Sequence, residues 1–381
     1  MIGLNYIYLS PKHAGGKDQV GFNLLKGLHE NGLDSEYEVI CWDHSVDSLR
    51  EMAPNAGYHV LKSTHEKNEL QRLLQLVYAN TFLLPQIIRK DKLDVVCHLS
   101  CNNGFRKLPA KVATIPHDIK AVSHRILGTV KVPYYKYIIY KIMYAWDFRH
   151  ADAIVGISDY DKNDISTYYP KYAHKVCRIY DPIITENINL VRKSHKHYIC
   201  AMNVQFHHKN TITLIKAFEL IRNKIDYKLV LIGNVPDRVK YLKEYVNEHH
   251  LSENVIFTGF ASDELVDQLL SECVLYVNPS LYEGFGMTAV EAVIKKIPTL
   301  LSGIPVHREV TMGKATYYDD LQNPDALAEA ILGCLRNPPS EQELEIAREM
   351  LIDTYDYRNI ANQYHNLFVD LIRDEKNDIS D

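Results

Sequence analysis

Two glutamates flank a glycine-bearing turn in NPSLYEGFGMTAVEAVIKKIPTLLSG, the stretch from Asn278 to Gly303. Glu283 precedes Gly284-Phe285-Gly286, and Glu291 follows Met287-Thr288, which open a helix. Backbone N–H groups and the helix dipole favour an anion at such a turn, and glycine lets a diphosphate approach closely. Carboxylates suit paired hydroxyls, because each oxygen can accept a hydrogen bond. The spacing therefore predicts a site for a diphosphate flanked by hydroxyl-bearing groups such as a ribose.

The segments on either side of the turn predict the elements that hold it. Cys273 to Val277 is an apolar run that predicts a buried strand, and Asn278-Pro279-Ser280 end that strand. After the helix, Ile297 to Leu301 predicts the next strand. A strand, a glycine turn and a helix also occur in many other α/β proteins, so a plain turn is the alternative.

Three other short segments place polar or glycine residues beside predicted strands. Lys209-Asn210 stand at a helix start, after a strand predicted from Tyr198 to Met202. His117-Asp118 end the strand predicted from Lys111 to Pro116, and parallel sheets bind ligands at such ends. Gly15-Gly16 lie between the first strand and the first helix, which repeats the phosphate-cradle arrangement. The alternatives are a solvated lysine, a capped turn and a plain tight turn.

The segment EGFGMTAVE resembles the signature of retaining glycosyltransferases of family 4, which have the GT-B fold. Pro279-Ser280-Leu281-Tyr282-Glu283 resembles the family's entry to this turn, and TLLSGIPVHREV its following strand and turn. Met287-Thr288 stand where Leu-Pro is usual. The resemblance implies that Glu283 contacts the donor sugar and that Glu291 holds the ribose. The diphosphate would lie on the Gly286-Met287-Thr288 backbone, with Gly284 and Phe285 in the same donor site.

The resemblance also assigns roles to residues elsewhere in the chain. Lys209 would neutralise the donor diphosphate, His117 would lie near the donor sugar and the reacting carbon, and Gly15 and Gly16 would face the donor phosphates. The family usually has an arginine shortly before the lysine, and here only His207-His208 occupy that place. The catalytic candidates are therefore Glu283, His117 and Lys209.

Composition and charge exclude several classes of protein. The chain has 381 residues, a net charge of −5 with histidine neutral, and 26 tyrosines. A net negative charge does not favour nucleic-acid binding. The seven cysteines show no paired metal spacing, and with no signal-peptide pattern they favour free thiols in a cytoplasmic protein. No apolar run approaches the about 20 residues that span a bilayer.

Strands and helices alternate twice along the chain, the pattern of doubly wound α/β domains. We expect two Rossmann-like domains that face each other across a cleft, the GT-B fold. The N-terminal, acceptor-binding domain covers 1–182, the domain that binds the nucleotide-diphosphate sugar covers 183–355, and 356–381 forms a helix returning to the first domain plus a frayed tail. Residues 181–197 are the expected linker. A long helical pattern runs from Glu66 to Arg89, and Pro85 is expected to break or kink this helix near its end.

Residues 121–150 interleave aromatic residues with Lys131, Lys136, Lys141 and Arg149. Tyrosine and tryptophan beside lysine at helical spacing suit a membrane interface. The resemblance implies peripheral contact with the inner membrane through this segment. The alternative is a helix that packs on the core and exposes a basic face.

The resemblance implies sugar transfer from a nucleotide-diphosphate sugar to a saccharide or lipid-linked acceptor. The transfer would retain the anomeric configuration and use no bound metal. No cofactor is expected, because the nucleotide-diphosphate sugar is a substrate. Surface polysaccharide or lipopolysaccharide synthesis is the expected setting. Two alternatives remain open: a GT-B nucleotide-sugar epimerase, and a non-catalytic sugar-nucleotide-binding partner of another transferase.

Overall fold

The computed structural model describes residues 1–10, 15–63, 69–101, 104–127, 130–186 and 196–378. Parts of the expected first loop, long helix, aromatic segment, linker and tail lie outside these residues. The chain forms two compact units. Unit 1 comprises Met1–Arg125, Val132–Ile184 and Tyr355–Asp381, and unit 2 comprises Ile126–Lys131 and Thr185–Thr354.

Short apolar runs form the strands, as expected for parallel sheets that are covered on both faces. In chain order the strands are β1 (Ile2–Asn5), β2 (Tyr37–Trp42), β3 (Gly57–Leu61), β4 (Val95–His98), β5 (Lys111–Thr114), β6 (Ile126–Leu127), β7 (Val130–Lys131), β8 (Ala153–Gly156), β9 (Val176–Arg178), β10 (Tyr198–Met202), β11 (Lys228–Ile232), β12 (Val255–Phe257), β13 (Leu275–Asn278), β14 (Thr299–Ser302) and β15 (Thr316–Tyr318).

Amphipathic segments form the helices that cover the sheets. In chain order they are α1 (Gly16–Glu30), α2 (Val46–Met52), α3 (Glu69–Tyr78), α4 (Leu84–Asp91), α5 (Lys120–Ser123), α6 (Tyr134–His150), α7 (Asp159–Tyr168), α8 (Thr211–Ile221), α9 (Tyr241–Glu248), α10 (Asp263–Glu272), α11 (Met287–Ile294), α12 (Pro305–Val310), α13 (Pro324–Arg336), α14 (Glu341–Tyr355) and α15 (Tyr357–Asp378).

Each unit has one parallel sheet. The order is β3-β2-β1-β4-β5-β8-β9 in unit 1 and β12-β11-β10-β13-β14-β15 in unit 2. In both sheets the chain moves outward in one direction and then returns to the middle, so the order reverses between β1 and β4 and between β10 and β13. Open α/β sheets bind ligands at such reversal points, beyond the carboxyl ends of the strands.

The helical pattern expected from Glu66 to Arg89 is present from Glu69 to Asp91 among the described residues, but a π-helical turn interrupts it. Helix α3 ends at Tyr78, a π-helical turn covers Ala79–Leu83, and α4 begins at Leu84. Pro85 lies at the start of α4 rather than near the end of one helix. A proline has no N–H to donate to the preceding turn, so the wider π turn ahead of it accommodates the missing bond. The first helix begins at Gly16, so Gly16 belongs to the helix itself and not to the loop before it.

The last helix belongs to unit 1, where it packs against α1. A Cβ on Gly27 would lie only 2.4 Å from the Tyr357 carbonyl oxygen, so a glycine is needed where the two backbones approach. Asn31 Nδ2 donates to the Arg358 carbonyl oxygen at 2.8 Å. The aromatic rings of Tyr357, Tyr364 and Phe368 are fully buried.

Candidate functional site

A buried ion pair joins the loops that follow β10 and β13. Lys209 ends the short 3-10 turn His207–Lys209 after β10, and Glu283 lies in the loop after β13. Lys209 Nζ lies 2.6 Å from Glu283 Oε1, and the two side chains are 11% and 9% exposed. The loops are also joined through their backbones, because Leu281 N–H donates to the His208 carbonyl oxygen at 2.7 Å. This pair lies at the reversal point of the unit 2 sheet.

Polar side chains of the β13 loop fix the position of Glu283. Asn278 Oδ1 accepts a hydrogen bond from the Ser280 N–H at 3.1 Å, which forms an Asx turn directly after the strand. Ser280 Oγ lies 2.7 Å from Glu283 Oε1. Ser302 Oγ, at the end of β14, donates to the Ser280 carbonyl oxygen at 2.5 Å. The glutamate carboxylate is therefore held in place before any ligand binds.

The two glutamates have opposite electrostatic environments. Burial alone would raise the pKa of Glu283, but the charges of Lys209, His208 and His307 outweigh it and hold that pKa at about 2. Burial raises the pKa of Glu291 to about 7, and Lys295 only partly offsets this effect. Glu283 is thus a fixed anion, whereas Glu291 changes charge near neutral pH.

Helix α11 begins without a side-chain cap. Its first residue follows Gly286, whose φ of 94° lies in the left-handed region that favours glycine. No side chain caps the helix, so the first N–H groups, those of Met287 and Thr288, make no side-chain cap bond. The Thr288 hydroxyl is oriented by Tyr276, whose OH donates to Thr288 Oγ1 at 3.0 Å. This geometry suits the diphosphate that the sequence predicts here.

The remaining predicted residues of the turn lie in the same loop or helix. Phe285 is 2% exposed, so its ring packs inward beside Gly284 and anchors the turn. Glu291 lies one helical turn after Met287 on α11 and is half-buried. Residues four apart share a helix face, so the Glu291 side chain lies on the face that Met287 begins.

Sequence reasoning missed His307, which contacts this turn. The ring is fully buried in α12, and Nδ1 lies 2.9 Å from the Ser302 carbonyl oxygen. A carbonyl can only accept, so Nδ1 carries a proton. Nε2 is buried without a hydrogen-bond partner among the described residues, and it would lie 3.7 Å from a Cβ on Gly286. A histidine two residues after Pro305 gave no pattern that could have identified it.

The place of the family's usual arginine is occupied by aromatic contacts. The His207 ring stacks on Tyr241, and the His208 ring is tilted against Phe206. Arg238 reaches this loop from the turn after β11: its Nε donates to the Gln205 carbonyl oxygen at 3.0 Å, and its guanidinium lies 5.2 Å from the Phe206 ring centroid. The loop after β10 is therefore contacted by a second cation, Arg238, which comes from a different part of the chain.

The predicted residues of the N-terminal half lie in unit 1. His117 has a left-handed φ of 62°, and its Nε2 donates to the Leu99 carbonyl oxygen at 2.9 Å. Burial lowers the pKa of His117 to about 4, so the ring is neutral and Nδ1 is an acceptor. Gly15 has an extended φ of 167°, and nothing lies within 4 Å of a Cβ built there. Neither its backbone nor its described surroundings require a glycine.

The structure brings Lys209, Glu283 and the turn from Gly284 to Glu291 together in unit 2. It brings His117 near Lys17, just after Gly16, in unit 1, where the lysine charge helps to lower the histidine pKa. Asp159 and Asp161 are carboxylates with one residue between them, and carboxylate oxygens are ligands for hard metal ions. Asp161, however, is buried and accepts the Ile157 N–H, and within the described ranges no group of three or more His, Cys, Asp or Glu is placed to hold a metal.

Helix α6 combines a packed face with an exposed aromatic face. Asp147 and Phe148 are buried, whereas Tyr135 and Ile142 are 63% and 64% exposed. The lysines and the arginine of this segment are exposed as well, at Lys131, Lys136, Lys141 and Arg149. No helix in the described part of the chain has the length and apolar character needed to cross a membrane.

Two family models match the chain. Residues 14–187 match Glycosyltransferase Family 4, and residues 184–349 match Glycosyl transferases group 1. The chain is similar to the O-antigen chain mannosyltransferase RfbU of Salmonella typhimurium, with 24% identity over 82% of this chain and 84% of the relative.

Two solved structures share the architecture of this chain. Sucrose-phosphate synthase from Thermosynechococcus elongatus superposes with a TM-score of 0.77 and 17% identity, over 98% of this chain and 99% of that one. Anabaena HepE in complex with UDP-glucose superposes with a TM-score of 0.71 and 16% identity, over 97% and 99%. These likenesses concern the fold.

Proposed function

Because the chain belongs to the group 1 and family 4 glycosyltransferases and has the GT-B fold, we propose that it moves a sugar from a nucleotide-diphosphate sugar to a saccharide or lipid-linked acceptor, with retention at the anomeric carbon. The observation that carries this proposal is the buried Lys209–Glu283 pair beside the uncapped start of α11. A fixed cation and uncapped helix amides support a diphosphate leaving group, and a fixed carboxylate supports binding of sugar hydroxyls.

In the proposed reaction the bond between the anomeric carbon and the diphosphate oxygen breaks. The departing diphosphate gains negative charge, which Lys209 and the amides of Gly286, Met287 and Thr288 stabilise. The acceptor oxygen attacks from the face that the leaving group vacates, and its proton passes to the departing phosphate oxygen. Glu283 orients the sugar, and neutral His117 accepts a hydrogen bond from a sugar hydroxyl near the reacting carbon. Glu291 accepts hydrogen bonds from the ribose.

The functions of similar proteins support a biological setting. RfbU is named an O-antigen chain mannosyltransferase, and HepE was solved with UDP-glucose. We place this chain in the synthesis of O-antigen or a related surface polysaccharide, at the cytoplasmic face of the membrane. We also propose that transfer needs no metal, because Lys209 and the helix amides supply positive charge where the leaving group develops. Full activity in the presence of EDTA is the expected result.

The first test is a thermal-shift panel of UDP, GDP, ADP and dTDP with their common sugars. A ligand at 100 times its dissociation constant adds about 2.7 kcal/mol to the free energy of unfolding, which is a measurable shift. One nucleotide should stabilise the wild type, and Glu291→Ala should lose the shift. If no nucleotide shifts the melting temperature at millimolar concentration, the donor site is wrongly assigned.

The second test measures turnover with the nucleotide sugar found by the panel. Lys209→Met should lower kcat about 100- to 1,000-fold, because a group that stabilises developing charge is removed. Lys216→Met, a cation on α8 outside the site, is the control. Unchanged turnover in Lys209→Met would refute the role of the lysine, and conversion of the donor without any acceptor would identify an epimerase instead.

A further inference from the structure

A cavity of about 340 Å³ lies in unit 1 at the carboxyl ends of β1 and β4, where the order of the sheet reverses. This volume is that of a small-molecule site. Its wall comes from the end of β1, the start of α1, the α3 segment with its π turn, and the end of β4. The polar residues of the wall are Asn5, Tyr8, Lys17, Arg72, Asn80, His98, Ser100 and Cys101.

Two cations in this wall are oriented by one buried tyrosine. Lys17 Nζ lies 5.3 Å from the centroid of the Tyr8 ring, and Arg72 Nη2 donates to the Tyr8 carbonyl oxygen at 3.0 Å. Neither cation forms an ion pair with a carboxylate of the described residues. Asp18 and Asp118 act on Lys17 only from beyond ion-pair distance, and its pKa is lowered by burial and by the charge of Arg72. The wall therefore carries positive charge without a matched carboxylate.

A network of buried side chains in the same wall leaves the Nε2–H group of His98 without an acceptor among the described residues. Asn5 Oδ1 accepts the Ile7 N–H at 3.1 Å, so Asn5 Nδ2 must donate to Asn80 Oδ1 and His98 Nδ1, both at 2.8 Å. Since His98 Nδ1 accepts and burial lowers the His98 pKa to about 3, the neutral ring carries its proton on Nε2. That N–H is buried and has no partner among the described residues.

We propose that this cavity holds an anionic group of the acceptor, a phosphate or a carboxylate, with Arg72 and Lys17 as its ligands. The word acceptor rests on the proposed function; the anion site itself rests on the cavity. A guanidinium presents a planar fork of N–H groups that matches such oxygens in pairs, and a lysine adds a point charge. A wholly neutral saccharide would cover both cations and leave their charge uncompensated, which is unfavourable.

The test compares charged and neutral probes on wild type, Arg72→Gln, Lys17→Gln and Arg89→Gln. Arg89 lies exposed on α4 in the same unit, so the control removes the same charge outside the cavity. The probes for calorimetric titration are inorganic phosphate, a hexose 1-phosphate, glucuronate, a hexose-pyrophosphoryl lipid and an uncharged methyl hexoside. The nucleotide that stabilises wild type is titrated into every variant as a separate reading of unit 2.

At least one anionic probe should bind wild type about tenfold or more tightly than the methyl hexoside, the usual effect of a hydrogen bond to a charged group. Arg72→Gln and Lys17→Gln should each lose this preference, Arg72→Lys should keep part of it, and Arg89→Gln all of it. Binding of the pyrophosphoryl lipid but not of phosphate would show that the anionic group comes from a lipid-linked acceptor. Binding of both would show that the cavity accepts small anions in general.

The proposal is overturned if Arg72→Gln binds every anionic probe as wild type does. It is also overturned if no anionic probe binds at about 10 mM, a concentration that reveals dissociation constants up to about that value. It is also overturned if the two cavity variants lose nucleotide affinity instead, since the cations would then serve the donor. If wild type binds no nucleotide but still binds an anionic probe, the result counts against the proposed function and supports the anion site.

Discussion

Residue by residue, the site depends on two carboxylates that differ in charge state. Glu283 is held ionised by Lys209, whereas burial raises the pKa of Glu291 to about 7. A protonated carboxyl group accepts fewer hydrogen bonds than a carboxylate. The two hydroxyls of a ribose are therefore bound more tightly when Glu291 is ionised. The two glutamates therefore give the site different responses to pH, although the sequence presents them as a matched pair.

We expect donor affinity to rise as the pH increases from 6 to 8, because Glu291 loses its proton in this window. Glu291→Gln should bind more weakly and show no such rise. The ligand for this titration is a nucleotide sugar, since a free terminal phosphate itself titrates at about pH 6. Glu329→Gln, an exposed residue on α13, is the control. A flat wild-type profile would contradict the role given to Glu291.

Gly286 is important for its backbone conformation as well as for its proposed place in the diphosphate site. Its φ of 94° disfavours any side chain by about 1 to 2 kcal/mol, although a Cβ would meet only ordinary contacts at 3.6 Å from His307. Gly286→Ala should lower the free energy of unfolding by that amount and weaken nucleotide binding. Gly333→Ala is the matched control, since that glycine lies inside α13 with open space around it. There alanine should be neutral or stabilising.

At the scale of elements, the sequence predicted more of the fold than of the site. Apolar runs and turn residues were enough for the two parallel sheets, and the EGFGMTAVE signature for the family and the GT-B fold, both confirmed by the comparisons. The roles of the predicted site residues stay predictions. The π turn at Ala79–Leu83 was missed because its residues are compatible with an ordinary helix, and only Pro85 signalled an irregularity.

The cavity in unit 1 was invisible in the sequence for a related reason. Lys17, Arg72 and His98 come from three separate elements, and only the register of the sheet brings them together. The same holds for His307 on α12, whose ring lies where a side chain on Gly286 would meet it. A single sequence shows which residue types occur, but long-range packing decides which of them meet.

The exposed aromatic face of α6 is predicted to bind anionic membranes. The double variant Tyr135→Glu with Ile142→Glu should lose co-sedimentation with vesicles that contain anionic lipid, because it removes apolar area and adds repulsive charge. Wild-type binding should also fall at high salt, since the basic residues of this helix are solvent-exposed. Phe260→Glu, which changes a residue 78% exposed in unit 2, is the control. Equal sedimentation of wild type and double variant would leave α6 as a packing helix only.

At the scale of the whole molecule, the free energy of unfolding depends on a buried carboxyl group, that of Asp181, near the point where the chain leaves unit 1. Burial raises the pKa of Asp181 to about 8, and its Oδ1 has no hydrogen-bond partner among the described residues. In the unfolded chain the same group has a pKa of about 3.9. The folded state therefore binds more protons between these values, and the free energy of unfolding falls as pH rises through them, by up to about 1.4 kcal/mol per pH unit.

Asp181→Asn should remove this loss, because the amide never ionises. We expect the variant to unfold at higher denaturant concentration than wild type at pH 7 to 8, with a smaller difference at pH 4 to 5. Chemical denaturation over this range measures it, and Asp353→Asn, an exposed aspartate, should leave the profile unchanged. A variant less stable than wild type at pH 8 would show that the carboxylate is needed ionised.

The two chain crossings at the end of unit 1 have a consequence for biosynthesis. Ile183 N–H donates to the Tyr355 carbonyl oxygen at 2.9 Å, and Tyr357 N–H donates to the Ile183 carbonyl oxygen at 3.1 Å. Helix α15 supplies buried aromatic rings to the core of unit 1. The first 184 residues of the chain therefore emerge from the ribosome before these rings are available. Unit 2, apart from the antiparallel pair β6-β7 in Ile126–Lys131, is translated in one piece before α15 appears. Unit 1 therefore cannot complete its core until the last helix has been translated.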